Sequence, residues 1–397
     1  MAPAASNLPG SNALAGEYQL RPGARPGVMG QRPVLGTGRL GQLLRGQRGD
    51  DVVRGLGSVF TLCAHAHRQA AVLALAAAQR QTPCGNAAQP PVALWLETAR
   101  DHLRSMALDW PQRLPETGVA GPDLKWLRDC PLPLVAKHAP TDAAAALNQL
   151  GQLRGWLEEH ILGQSIGQWQ RDCATPEAFA DWCQSQATRL PPARFLSAWQ
   201  PLASRLQLPA RCLQVLHQDL TLQNRQLIEL AQAMVHQNGF VQQPTWHGQC
   251  AENGPWARLR HGPQPEGALR SAWWRLSARW QELLALAQAA SDASDGPDAT
   301  GAGGMLSTGA LWLVQGQALG WCEMARGLLL HWVLLDAEGG VLDYRVLAPT
   351  EWNFHPQGAL AQAVAALATD DQASAAMLAA AFDPCVNCTV FGATVAN

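Results

Sequence analysis

Two cysteines near the carboxyl end of the chain, Cys385 and Cys388, have a spacing that lets two thiolates reach one metal ion. They follow Asp383-Pro384, a pair that favours the end of a helix. A thioredoxin-like redox pair is expected near the start of a helix in a βαβ unit, whereas this motif follows a predicted helix. The pattern therefore favours metal binding over thiol–disulfide exchange.

A further candidate ligand lies near the amino end, where Cys63 is followed by His65 and His67. If the helix predicted here includes Cys63, then Cys63 and His67 are four residues apart and share a helix face. A site that combines Cys63 with Cys385 and Cys388 then becomes conceivable. For each histidine, an ordinary polar position near a helix start is favoured over metal ligation.

The periodicity of the chain predicts mostly helices, with a small β region near the carboxyl end. A long Ala-rich run without internal Gly or Pro predicts a helix over 58–81, and several helical patterns follow between 92 and 290. The segment 287–304 has low complexity and predicts an exposed, flexible loop. The other predicted elements are strands at 17–20, 32–35, 310–315, 328–336 and 341–348 and helices at 358–368 and 371–381.

The last two predicted strands are separated by a turn composition at 337–340 and form a predicted hairpin. Arg326 and Thr350 lie 12 residues before and after Glu338, near the centre of the turn. Residues equidistant from a turn lie side by side in an antiparallel pair, so both donors are expected at the open end. Such a pair can hold an anionic or cyanide-like group, although the pattern alone favours a surface arginine and a strand-ending threonine.

Composition excludes several classes of protein. Because 47% of the residues are hydrophobic, intrinsic disorder is excluded, and the net charge of -2 leaves no broad cationic face for nucleic acid. No apolar stretch approaches the roughly 18 residues of a membrane span, and the first residues have no signal-peptide pattern, so we expect a cytoplasmic protein. Ten scattered cysteines are then expected as free thiols or metal ligands.

Several motifs, taken in order, resemble the large subunit of nickel-iron hydrogenases. The segment Glu323-Met324-Ala325-Arg326-Gly327 is similar to the family's Glu-Ala-Pro-Arg-Gly, and Asp383 to Cys388 is similar to its Asp-Pro-Cys-x-x-Cys. Ala348-Pro349-Thr350-Glu351-Trp352-Asn353 is similar to Val-Pro-Ser/Thr-Thr-Trp-Asn. Weaker likenesses occur at Glu252 to Arg258 and at Leu62-Cys63, so the resemblance spans nearly the whole chain.

The resemblance implies a ligand set, but an incomplete one. In that family two CxxC pairs hold nickel and iron, and the iron carries two cyanides and one carbon monoxide. Cys63, Cys385 and Cys388 match three of the four cysteines, whereas the position of the fourth, a bridging ligand, is Ala66. The acidic residue used for proton transfer corresponds to Ala15, and a histidine expected after the last cysteine is Phe391.

These departures make the chain look most like the HupK/HoxV-type hydrogenase expression/formation proteins. The resemblance then implies a non-catalytic scaffold that transiently holds iron with its cyanide and carbonyl ligands, without nickel. Arg326, Pro349 and Thr350 would surround the cyanides, and Cys63, Cys385 and Cys388 would bind the metal. The implied partners are the chaperones of the iron-delivery complex and the apo large subunit.

Three alternatives stay open at this point: a structural zinc site, a metal-free homologue that only binds partners and, last in order, a working hydrogenase. The expected fold is α+β and mainly helical, like the hydrogenase large subunit. In it, a central helical bundle brings both chain ends together and small β-sheets lie at the periphery. We expect residues 1–397 to form a single domain.

Overall fold

Helices dominate the part of the chain that the computed structural model describes, which is residues 16–35, 38–80, 86, 91–115, 121–134, 142–209, 211–259, 270–294 and 306–391. The helices are α1 Arg39–Leu44, α2 Gly49–Val59, α3 Ala64–Arg80, α4 Val92–Arg104, α5 Trp110–Arg113, α6 Ala143–Trp156, α7 Ile166–Asp172, α8 Pro176–Gln186, α9 Pro191–Arg205, α10 Leu220–His236, α11 Pro255–Leu259, α12 Ala272–Ser294, α13 Pro349–Asn353, α14 Ala359–Ala365 and α15 Gln372–Phe382. The strands are β1 Glu17–Leu20, β2 Val28–Gln31, β3 Thr308–Val314, β4 Gln317–Met324, β5 Gly327–Leu335, β6 Val341–Leu347 and β7 Asn387–Val390. Single π-helical turns extend α4 over Ser105–Asp109 and α6 over Leu157–Leu162, and Pro33–Leu35 and Lys125–Leu127 are 3-10 turns.

A three-stranded sheet joins the two ends of the chain. Strand β1 pairs antiparallel with β2 and parallel with β7, in the order β2-β1-β7. Tyr18 and Leu20 face the core from β1, while the alternate residues are more exposed, as expected for a strand with one buried face. In this register Tyr18 pairs with Cys388, so the carboxyl-terminal motif is attached to the amino-terminal strand.

A four-stranded antiparallel meander, β3-β4-β5-β6, forms the second sheet, and helix α3 packs across it. The helix meets the sheet with small side chains, since Ala66, Ala70 and Ala74 are completely buried. A Cβ atom at Gly320 in β4 would collide with the Ala70 carbonyl oxygen. The alanines of α3 therefore have two effects: they favour the helix, and their small side chains allow it to pack closely against the sheet.

Helix α12 is the centre of the helical bundle and contacts α4, α6, α9 and α15. Most of its described side chains are buried, and only Gln281, Ala285 and Gln288, along one face, are half-buried, which is close to the pattern of a core helix. Three charged side chains, Arg275, Arg279 and Glu282, are buried with them. Because buried charges need partners within the protein, the charged side chains of α12 require other polar groups beside them in the interior.

The predicted mainly helical α+β fold, with a helical bundle and small sheets, is confirmed. The strand at 17–20, the 328–336/341–348 hairpin and the two Ala-rich helices near the carboxyl end also agree with the structure. The prediction of a single domain over 1–397 stays a prediction.

Four local predictions were wrong or incomplete. The helix predicted over 58–81 is divided between α2 and α3, because residues 60–63 form a turn at which Phe60 packs on His67. Residues 33–35 form a 3-10 turn instead of a strand, and β4 was not predicted. Residues 287–294 of the predicted flexible loop belong to α12, and the remaining 295–304 lie outside the described residues.

Candidate functional site

Cys63 lies at the amino end of helix α3. Its carbonyl oxygen accepts a hydrogen bond from the His67 N–H, at 3.1 Å. The Glu97 carboxylate of α4 accepts the N–H groups of His65 and Ala66, at 2.8 and 3.0 Å, and so caps the first turn. Burial, and then the nearby Asp101 charge, raise the pKa of Glu97 to about 7 despite these bonds. The Cys63 thiol is thus held beside a capped helix start.

Cys385 follows the end of helix α15, where Asp383 has a left-handed backbone (φ 47°). The Asp383 Oδ2 atom lies 3.2 Å from Arg279 and 3.3 Å from Arg326. Burial alone would raise the pKa of Asp383, but these two guanidinium groups hold it at about 2. Asp383 therefore stays ionised and joins the end of α15 to the charged interior of the bundle.

Arg326 is fixed by three interactions, one with Asp101 of α4 and two with Asp383 at the end of α15. Its Nη1 lies 3.0 Å from Asp101 Oδ2 of α4, and its Nε donates to the Asp383 carbonyl oxygen at 3.1 Å, in addition to the Asp383 ion pair. The side chain is only 2% exposed, so the guanidinium has been removed from water and needs these partners. The guanidinium is near enough to Cys385 and Cys63 for electrostatic interaction with both, after its stronger interactions with Asp383 and Asp101.

The segment 349–351 forms another part of the same site. Pro349 is the first residue of helix α13, where its missing N–H costs nothing, and it is buried. Thr350 Oγ1 lies 3.1 Å from Cys385 Sγ. Thr350 therefore contacts Cys385 directly, whereas Arg326 is bound to Asp383, two residues before Cys385.

Cys63 and Cys385 are close enough for their charges to interact. Burial raises the pKa of Cys63 well above its ordinary value, and the neighbouring Cys385 raises it further. Arg326 and Arg32 act in the opposite direction. The site therefore combines two thiols, two guanidinium groups and the Thr350 hydroxyl.

Cys388 faces a different environment. Its thiol lines an open cleft of about 550 Å³ that also contains Asp109, Arg113 and Trp199. Burial raises the pKa of Cys388 to about 11, and a hydrogen bond from Arg113 opposes that increase. Strand β7 begins at Asn387, and its pairing with β1 fixes the direction of the next side chain.

The three predicted cysteine ligands are therefore not all brought together in this conformation. Within the described residues, no group of three or more His, Cys, Asp or Glu side chains is placed to hold a metal ion. Cys63 and Cys385 converge, and Cys388 would have to leave its present position to join them. The spacing of a CxxC motif does not by itself unite its thiols, because the strand pairing after Cys385 is determined by distant residues.

The two candidate histidines have structural roles. His67 is 1% exposed, stacks on Phe60 with the ring centroids 3.7 Å apart and bonds His331 across 3.0 Å. His331 in turn bonds the Tyr344 hydroxyl at 2.8 Å. His65 is half-buried, and burial followed by the Arg68 charge lowers its pKa. The interpretation of both residues as polar positions of the fold accounts for these contacts.

Comparison with known proteins extends over most of the chain. A family model described as nickel-dependent hydrogenase matches residues 265–391. The hydrogenase expression/formation protein HoxV of Cupriavidus necator is 37% identical over 95% of this chain and 96% of its own length. The chain belongs to the HoxV/HupK family of hydrogenase expression/formation proteins. Within this family, HupK of Rhizobium leguminosarum bv. viciae is 29% identical over 83% of each chain.

The fold is that of a hydrogenase large subunit. The nickel-iron-selenium hydrogenase of Desulfovibrio vulgaris Hildenborough in its reduced state superposes with a TM-score of 0.55, covering 90% of this chain and 92% of the hydrogenase chain at 16% identity. Its as-isolated oxidised state gives a TM-score of 0.52 at 17% identity. At these identities the superpositions establish the fold alone.

Three residues of this HoxV/HupK-family site were not identified from the sequence. Asp101 and Glu97 lie four residues apart on α4, among buried Leu, Trp and Ala side chains, and two acids on such a face are a recognisable signal. Arg32 was assigned only to a weak strand, and its place beside the thiols depends on contacts distant in sequence.

Among the described residues, no helix combines the length and apolar character required to cross a bilayer.

Proposed function

We propose that this protein is a maturation scaffold for nickel-iron hydrogenase. It would bind iron with its cyanide and carbonyl ligands as cargo and pass that fragment to the apo large subunit. The observation that carries the proposal is the contact of Cys385 with Thr350, with Cys63 and Arg326 near enough to interact electrostatically with Cys385, inside a hydrogenase-like fold. Membership of the expression/formation family supports a role in assembly.

The residues present fit an iron–cyanide cargo. Thiolates are suitable ligands for iron, and cyanide nitrogens accept hydrogen bonds. Asp101 and Asp383 fix the orientation of Arg326 by using three of its five N–H groups, and two remain for a ligand. Thr350 supplies an adjustable O–H donor, and Pro349 adds an apolar wall.

Ala66 argues for iron without nickel. It occupies the position of the fourth cysteine in the resemblance, its side chain is a completely buried methyl group, and its N–H bonds to Glu97. A methyl group cannot bridge two metals. We therefore propose a non-catalytic function, since the turnover of hydrogen requires both metals and a nearby base.

Cys388 is proposed as a third ligand that joins only after a local rearrangement. Cys388 now lines the Arg113 cleft, on the same face of the sheet as the buried Tyr18, so its sulfur has to move away from Arg113 toward Cys385. Two inner thiolates would hold the cargo before this step. An incomplete set of ligands also favours release, which a scaffold requires. The proposed partners are the chaperones of the iron-delivery complex and the apo large subunit.

Infrared spectroscopy tests the proposed cargo. Protein purified from a host with an intact hydrogenase maturation system is expected to show cyanide and carbonyl stretching bands. Cys63→Ala and Cys385→Ala should abolish the bands, and Cys388→Ala should abolish them if it completes the ligand set. Cys183→Ala, a buried cysteine on α8, is the matched control and should retain them. Stoichiometric zinc without these bands, or bands that survive Cys385→Ala, would contradict the proposal.

A further inference from the structure

We infer that Arg32 is a second anion-binding group of the Cys63/Cys385 site, and that the site therefore selects an anionic cargo. The cargo would meet two guanidinium groups, Arg326 from the turn between β4 and β5 and Arg32 from the segment after β2. The identity of the cargo rests on the proposed function. The presence of an anion site beside the thiols does not, and it can be tested on the protein without cargo.

Arg32 is a buried guanidinium that lacks a matching acceptor. The side chain is 6% exposed, and its Nε has no hydrogen-bond partner among the described residues. Arg32 forms an ion pair with the Glu351 carboxylate, but the Nη1–Oε1 distance of 3.9 Å is too long for a hydrogen bond. The other Glu351 oxygen, Oε2, also has no partner within the described part of the chain.

The position of Arg32 directs its charge toward the thiols. The guanidinium lies over the Phe60 ring, 5.4 Å from its centroid, at the turn that leads to Cys63. Its charge interacts with Cys385 and, more weakly, with Cys63. The Tyr18 hydroxyl, near the same place, already donates to Glu351 Oε1 at 3.2 Å. Arg32 is therefore the group with an unused donor here.

The two arginines differ in how their donors are used. Arg326 is held by Asp101 and by both the carboxylate and the carbonyl of Asp383. Arg32 is equally removed from water but retains an unsatisfied N–H, which is costly in a folded protein unless a ligand compensates for it. An anionic ligand at the thiols would accept that hydrogen bond. The arrangement fits a ligand with acceptors on two sides, such as a metal fragment with two cyanides.

Competitive alkylation of the cargo-free protein tests the anion site. Cys385 is partly exposed, and mass spectrometry can follow its reaction with anionic iodoacetate and neutral iodoacetamide. The ratio of the two rates cancels any change in thiol ionisation. Arg32→Met should lower this ratio at Cys385 by about fivefold, the effect of one unit charge at close range in water. An unchanged ratio would overturn the inference.

Cys388 and a conservative variant provide the controls. Cys388 lies beside Arg113 in the open cleft, so its ratio should fall in Arg113→Met and not in Arg32→Met. Arg32→Lys keeps the charge and should retain most of the ratio at Cys385. If Arg32→Met does not fold, thiocyanate is applied to the wild-type protein. At Cys385 it should slow iodoacetate more than iodoacetamide, and equal slowing of the two reagents would overturn the inference.

Infrared spectra of cargo-loaded protein separate the two proposals. If the wild-type protein shows cyanide bands, Arg32→Met should shift them or reduce their occupancy by about tenfold, as expected for one charged hydrogen bond. Wild-type bands that are unchanged in Arg32→Met would overturn the role of Arg32 in holding the cargo and leave the scaffold function standing. A wild-type protein without bands, but with the Arg32-dependent alkylation ratio, would overturn the proposed cargo and leave the anion site.

Discussion

The two cysteines of a single CxxC motif lie in contrasting regions of this protein. Cys385 belongs to an inner region with Cys63, Thr350 and two buried guanidinium groups. Cys388 belongs to an outer region, an open cleft where Arg113 is its charged neighbour. The difference shows that the motif's spacing does not decide the environment of its thiols. The end of α15 positions the first thiol, and strand β7 positions the second.

The largest expected difference between the regions concerns stability. Arg326→Met leaves Asp101 and Asp383 buried with reduced compensation, and we expect a loss of about 3–5 kcal/mol of unfolding free energy. Arg113→Met in the outer region removes a half-exposed charge and should cost less than about 1 kcal/mol. Urea denaturation measures both values. Similar losses for the two variants would contradict the contrast.

The inner region should also make stability depend on pH through Glu97. Its pKa is raised from an ordinary 4.5 to about 7 by burial, so the folded state binds this proton more tightly than the unfolded state. The resulting stabilisation is complete below about pH 4.5 and is lost as the pH rises to about 7, a change of about 3 kcal/mol. Glu97→Gln should flatten this part of the stability profile, measured by denaturation across the range. An unaltered slope would show that another group is responsible.

Thiol reactivity should distinguish the outer region. Because the pKa of Cys388 is about 11, its alkylation by iodoacetamide should accelerate about tenfold per pH unit below that value. Removing Arg113 takes away the group that stabilises the thiolate, and we expect the Cys388 rate to fall roughly fivefold. The Cys385 rate in the same Arg113→Met protein is the internal control and should not change. A parallel fall at both cysteines would indicate that the regions are not independent.

The smallest effect is expected at the contact between Thr350 and Cys385. Thr350→Val removes a hydroxyl that lies 3.1 Å from the sulfur, and the cost to stability should be about 1 kcal/mol. Thr350→Ser keeps the hydroxyl and should restore most of the loss. Thermal unfolding of the three proteins provides the measurement. A serine variant as unstable as the valine variant would assign the effect to packing instead of the hydrogen bond.

The parts of the fold that sequence could predict were those with local signals. The hairpin of β5 and β6 followed from a turn composition between apolar runs, and α15 ended at Asp383-Pro384 as expected. Strand β4 lacked such a signal, because it is buried on both faces and its sequence does not alternate. The turn at 60–63 contains no Gly or Pro, and packing between Phe60 and His67 accounts for it.

The candidate site was predictable where a motif carried its residues. Arg326 and Thr350 were predicted from the hairpin spacing and, with Cys63 and Cys385, from motif resemblance. The structure places Thr350 against Cys385 and Arg326 against Asp383, and the binding roles of the four residues stay predictions. The direction of Cys388 depends on pairing between residues 17–20 and 387–390, which no local pattern reveals. Arg32 was assigned to a short predicted strand at 32–35, and no local pattern marked the residue as buried, so its burial could only be seen in three dimensions.

The parallel pairing of β1 with β7 has a consequence for the order of events during synthesis. The inner region is complete only when segments from both ends of the chain have come together. Tyr18 and Glu351, for example, are in direct contact although they are 333 positions apart in the sequence. Contacts between such distant positions form late, and a chain emerging from the ribosome folds its early segments first. Under the proposed function, a nascent chain therefore cannot capture its cargo at this site until the ribosome has delivered the Cys385 segment.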